Sequence, residues 1–74
     1  MNREVSEDIF NIQIRMFRLF QISEELNAKD TEAIFVKYEV FDYIETCYEE
    51  YHVQGDETNL ADIYAYLKQK GWQK

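Results

Sequence analysis

The sequence has no proline, and its only glycines are Gly55 and Gly71. Flexible Gly-rich linkers and frequent helix breaks are therefore excluded. One cysteine, Cys47, rules out an internal disulfide and a zinc cluster built from thiolates. The uninterrupted apolar runs, such as Ala33 to Val36, are far too short to span a bilayer. The start, Met1-Asn2-Arg3-Glu4, has no apolar signal region behind it. With a free thiol, this makes a reducing, cytoplasmic compartment the simplest expectation. Basic residues are also scarce. From Tyr38 to Leu67 there is no Lys or Arg at all.

What is present is apolar and acidic. Of 74 residues, 46% are hydrophobic and 16% aromatic, too apolar for a disordered acidic tail. One helical domain covering residues 1–74 is expected, small enough that a partner or a second copy adds to its stability. Fifteen acids against eight bases give a net charge of −7. Phosphate binding needs clustered Lys and Arg, so direct nucleic-acid binding is not expected, and neither is an anionic membrane surface. A basic protein surface is the natural electrostatic partner.

The apolar spacing predicts an all-α bundle of about four helices, three long and one short. The first runs from about Ser6, a good N-cap, to Leu26. Ile9, Ile12, Met16, Leu19 and Leu26 form its stripe, widened by Phe10, Phe17 and Phe20. Asn27 to Asp30 read as a turn, with Asp30 or Thr31 capping a short helix to about Lys37. Residues 33–41 are rich in branched and aromatic side chains and also fit a strand. A lone strand without a partner is not stable, so helix is preferred. The third helix spans about Val40 to Val53, with Val40, Ile44, Cys47 and Tyr51 on one face. Gln54 to Thr58 form a polar turn. Asn59 is read as the cap of a fourth helix that ends at Lys70, with Gly71 stopping it and Trp72 folding back on its last turn.

In the third and fourth helices, Asp42-Tyr43-Ile44, Tyr48, His52, Gln54-Gly55, Leu60, Asp62-Ile63, Tyr66-Leu67 and Gly71 form a recognisable pattern. It resembles a small bacterial family, the domain of unknown function numbered 3791, over roughly residues 31 to 71. Lys37-Tyr38-Glu39-Val40 is similar to the family's Lys-Tyr-Gly-Val step. Glu39 replaces that glycine, a departure that bears on whether the chain bends tightly there. The resemblance carries no established activity. It implies a genomic setting beside ADP-ribosyltransferase-like, toxin-like proteins, and so a small accessory or antitoxin-like role.

No catalytic, cofactor or metal site is expected. Cys47 and His52 are five residues apart, which on a helix is about 500° of turn and leaves them about 140° apart. Cys47 reads as core packing. His52 reads as structural, capping carbonyls near a helix end or bonding across to the fourth helix. A metal site of His52, Asp56 and Glu57 would be a weak ligand set, and the calcium-loop spacing is missing. Neighbouring acids such as Glu45 and Glu49 suit a solvated face better than a catalytic pair, which needs a cleft. The acidic third helix also excludes a DNA-reading helix-turn-helix.

Two surfaces remain as candidate partner sites. The first is the acidic one, with eight acids between Tyr38 and Leu67 and with Asp42, Glu45, Glu49 and Glu50 at its centre; Tyr66, at the edge of its own helix's apolar face, is either half-buried packing with a wet hydroxyl or an anchor for a partner. It is either a solubilising face or a dock for a basic partner, and a sharper version mimics nucleic-acid phosphates. The second is a stripe on the far side of the first helix, Ile14, Arg18 and Ile22 with Asn11 and Arg15 beside them, which is either an interface core by its mix of Ile and Arg or a face that a neighbouring helix covers. A second copy is a candidate partner there, its acids meeting these arginines. The expected function is a non-enzymatic protein-interaction module, antitoxin-like or regulatory, that binds and occludes a protein. The alternative is an acidic, nucleic-acid-mimicking inhibitor of a nuclease, of the phage anti-defence type.

Overall fold

The computed structural model describes residues 3–73; Met1 and Asn2, on which the reading of the chain start partly rests, and Lys74 lie outside them. Five helices follow one another: α1 (Arg3–Glu24), α2 (Ala28–Lys37), α3 (Val40–Thr46), α4 (Tyr48–Tyr51) and α5 (Asp56–Gln69). No strand occurs among the described residues, and 33–37 belong to α2. The all-α bundle is as expected, with one helix more because the third is interrupted at Cys47.

α1 is the spine, packing along its length on α2, α3 and α5. Its Ile9, Ile12, Met16 and Phe20 are buried together with Phe35, Val40, Ile44, Tyr51, Ile63 and Leu67. Phe10 departs from expectation. It is 59% exposed, because ten residues of helix turn it about 80° away from Phe20.

The helix ends explain most boundary differences. α1 begins at Arg3, so Ser6 lies inside it and is not its cap. It ends in a Schellman motif: Leu26 N–H donates to the Gln21 carbonyl and Glu25 N–H to that of Ile22, with Glu25 left-handed at φ 55°. Asn27 caps α2, its side chain accepting from Asp30 N–H at 2.7 Å. Thr31 is buried one turn on, its hydroxyl donating to the Asn27 carbonyl at 2.9 Å. The bend between α2 and α3 is kept despite the missing glycine, since Glu39 takes φ 55° and ψ 42°. α5 starts at Asp56, three residues before the expected cap. Asn59 is instead fully buried, its amide donating to the Tyr51 carbonyl at 2.9 Å. As expected, Gly71 ends α5 at φ 100°. Trp72 N–H reaches back to the Leu67 carbonyl at 2.9 Å, and its ring lies 5.6 Å from that of Phe20.

Candidate functional site

Burial of Val40, Ile44 and Tyr51 decides which way α3 and α4 face. With those positions inside, Asp42, Glu45, Glu49 and Glu50 are left exposed, and Glu39 at the bend joins them. None of these five has a cationic partner among the described residues. The eight acids of this half are not equivalent, however. Asp56 pairs with Arg15 at 3.3 Å, and Asp62 turns inward. The uncompensated charge is therefore concentrated on α3 and α4.

Asp62 is what ties those helices down. Its Oδ2 accepts from the Tyr43 hydroxyl at 2.7 Å and the Tyr51 hydroxyl at 2.6 Å. Tyr66 stacks on Tyr43, with ring centres 3.9 Å apart, and its hydroxyl donates to the Tyr38 carbonyl at 2.7 Å. Burial, and then the Asp62 carboxylate, push the Tyr43 and Tyr51 phenols well above the ordinary value. Burial raises Tyr66 too, with the charges of Glu39 and Asp42 adding to it. Of the two readings of Tyr66, the structure fits half-buried packing, with the hydroxyl bonded to a backbone carbonyl.

Cys47 lines a shallow hollow of about 300 Å³ with Tyr43, Glu50, Tyr51, Gln54, Thr58 and Asp62. Burial raises its thiol pKa, which keeps the sulfur protonated and a poor nucleophile. His52 belongs to a different hollow, with Asp8, Asn11, Ile12 and Arg15 of α1. Its ring stacks on Tyr48 at 4.9 Å, and the Tyr48 hydroxyl donates to Asp8 at 3.1 Å. The expected caps and bonds to the last helix are not what holds His52; it rests on an aromatic ring. Among the described residues no three His, Cys, Asp or Glu side chains gather as a metal-ion site.

On α1, Arg18 and Ile22 are exposed, Ile22 by 73%, and Ile14 is half-buried. Arg15 is exposed but engaged by Asp56, both its Nε and Nη2 reaching Oδ1 at 3.3 Å. The exposed Phe10 extends the stripe toward the helix start. Arg15 thus ties one edge of the stripe to the start of α5, while Arg18 and Ile22 are open to solvent. Sequence reasoning passed over Asp62, Tyr51 and Asn59 as site-forming residues. The available signal was the presence of both Tyr43 and Asp62 in the quoted pattern, nineteen positions apart and on different helices.

A family model described as "Protein of unknown function (DUF3791)" matches residues 15–70. No curated protein and no solved structure matches the chain.

Proposed function

The chain belongs to the DUF3791 family of proteins of unknown function, and from that footing we propose that it is a non-enzymatic protein-interaction module, antitoxin-like or otherwise regulatory, that binds and occludes a protein partner. The observation that carries this reading is the set of five exposed acids on the α3–α4 side, without cationic partners among the described residues and backed by the tyrosine–Asp62 clamp. Like charges one helical turn apart cost a few tenths of a kcal/mol per pair. A basic partner would relieve that cost and be steered to the surface by it. The chemistry of the interior supports the non-enzymatic half. The thiol is held protonated, the imidazole lies in another hollow, and the buried phenols are occupied by Asp62.

No helix among the described residues is long and apolar enough to cross a membrane. A cytoplasmic location is part of the proposal and suits the free thiol of Cys47. The alternative, mimicry of nucleic-acid phosphates, is favoured by the succession of exposed carboxylates at Asp42, Glu45, Glu49 and Glu50 on α3 and α4.

The test is affinity capture from the native host with mass spectrometry, run with wild type and with Glu45→Gln/Glu49→Gln/Glu50→Gln. A basic protein retained by the wild type and lost with the triple variant is expected. A partner retained equally by both would remove the acidic face from the mechanism. If the captured protein binds nucleic acid and that nucleic acid competes, the mimicry reading prevails.

A further inference from the structure

We propose that residues 48–54 form a strap that swings off the bundle as one unit, hinged at Cys47 and Gly55. The backbone bonding of this segment is self-contained. Cys47 N–H donates to the Tyr43 carbonyl, but the N–H groups of Glu50 and Tyr51 reach back only to the Cys47 carbonyl. Those of His52, Val53 and Gln54 reach only to Tyr48 and Glu50. Cys47 itself lies outside helical geometry, at φ −94° and ψ 15°. At the other end Gly55 is extended, at φ −73° and ψ 159°, and Asn59 N–H starts a new set of bonds on its carbonyl. A helix of four residues cannot sustain itself. What holds the strap is its contact with the helices beside it.

That contact is narrow. Tyr51 is the strap's one buried side chain, while Glu49, Glu50, His52, Val53 and Gln54 are exposed. Three side-chain bonds fasten it to α1 and α5. The Tyr51 hydroxyl donates to Asp62, the Asn59 amide to the Tyr51 carbonyl, and the Tyr48 hydroxyl to Asp8. One group works against them. Asn59 Oδ1 is buried with no hydrogen-bond partner among the described residues. A buried acceptor left unpaired raises the free energy of the closed form, and opening returns it to water. The hollow of about 300 Å³ is lined by Tyr51 and Gln54 of the strap and by Thr58 and Asp62 of α5, so the two are not close-packed along that edge.

A segment with a single buried anchor and a hinge at each end opens before the rest of its fold. Opening divides the acidic face. Glu49 and Glu50 move with the strap, whereas Glu39, Asp42 and Glu45 stay with the bundle. The motion does not depend on what that face binds.

Hydrogen exchange of the full chain, read amide by amide by NMR over a series of low urea concentrations, tests the strap. The amides of Glu50, Tyr51, His52, Val53 and Gln54 should share one opening equilibrium and one urea dependence. Their protection should lie roughly tenfold or more below that of Met16, Phe20 and Leu67. Phe35→Leu weakens the core and not the strap. It should speed exchange at Met16, Phe20 and Leu67 and leave the five strap amides unchanged. Tyr51→Phe loses the bond to Asp62 and should speed the strap amides about fivefold. Strap amides that match the core's protection and follow Phe35→Leu would overturn the proposal, because the segment would then open only with the whole fold. Five unrelated rates without urea dependence would overturn it too, because they would mark fraying residue by residue. Unchanged strap exchange in Tyr51→Phe would overturn the fastening role given to that hydroxyl.

Discussion

Around Phe35 the core is hydrocarbon. Its ring is fully buried and touches Phe17, Phe20 and Phe41 at centroid distances of 5.3, 5.5 and 5.1 Å, and Trp72 closes the cluster over Phe20. Around Asp62 the same bundle is held by phenols. Tyr43 and Tyr51 share one carboxylate oxygen, Tyr66 stacks on Tyr43, and Asn59 holds the Tyr51 carbonyl. The phenyl end is held by volume, which is non-directional and indifferent to pH. The phenol end is held by oriented bonds to a single charged group, and it is the end from which the acidic helices project. The two regions therefore contribute to the fold through different atoms and can be perturbed separately.

The largest effect is expected at the phenyl end. Phe35→Ala should cost about 3–5 kcal/mol, a large part of the roughly 4–11 kcal/mol available to a chain of this size. Urea unfolding followed by circular dichroism would show this as a fall in midpoint; a loss under about 1 kcal/mol would mean the cluster repacks. Next is Asp62→Ala, which strands two hydroxyl donors and should cost about 2–3 kcal/mol. In a Tyr43→Phe/Tyr51→Phe background the same substitution should cost far less, and equal costs in both would show that the carboxylate does not act through the phenols.

Alkali separates the two ends directly. Both phenols keep their protons in the fold to higher pH than an unfolded tyrosine, whose pKa is about 10. Their contribution is complete below about pH 10 and is lost as pH rises above it. Wild-type stability should thus fall above about pH 10, and fall less steeply in Tyr43→Phe/Tyr51→Phe. Phe20→Leu should lower the curve by the same amount at every pH, and a steeper alkaline fall there would blur the distinction between the ends. A smaller effect is expected between them, where Glu39 sits left-handed at φ 55°. Glu39→Gly relieves that conformation and removes a charge beside Asp42. It should stabilise by about 1 kcal/mol, read as a rise in Tm, and a fall would mean the Glu39 side chain makes a contact that matters.

The two ends also differed in how far they could be read from sequence. The apolar period of three and four placed Ile9, Ile12, Met16, Ile44, Ile63 and Leu67 inside, because burial of hydrocarbon depends on spacing alone. Gly71 and Trp72 were legible because a left-handed helix end has a local signature. Phe10 and Phe20 are alike in type, but Phe20 continues the line of Ile9 and Met16 while Phe10 lies about 80° from Phe20, a difference that helical spacing already carries. The tyrosine end was not legible in this way. Asn59 looks like a cap locally, but its partner is the Tyr51 carbonyl eight residues back, and the bond from Tyr43 to Asp62 exists only once α5 folds against α3. The acidic residues were legible as a group. That Asp56 pairs with Arg15 and Asp62 turns inward was not, because both are tertiary facts.

The exposed acids of α3 and α4 are where fold and function should part company most clearly. Glu45→Gln/Glu49→Gln/Glu50→Gln should leave the bundle intact and gain a few tenths of a kcal/mol from relieved repulsion. The deciding measurement is the Kd of the captured partner against ionic strength for wild type and this triple variant. The wild type should bind tightly at low salt and weaken steeply as salt rises, with the variant weaker and its salt dependence shallower. Coincident curves would mean that binding, if it occurs, does not use this face.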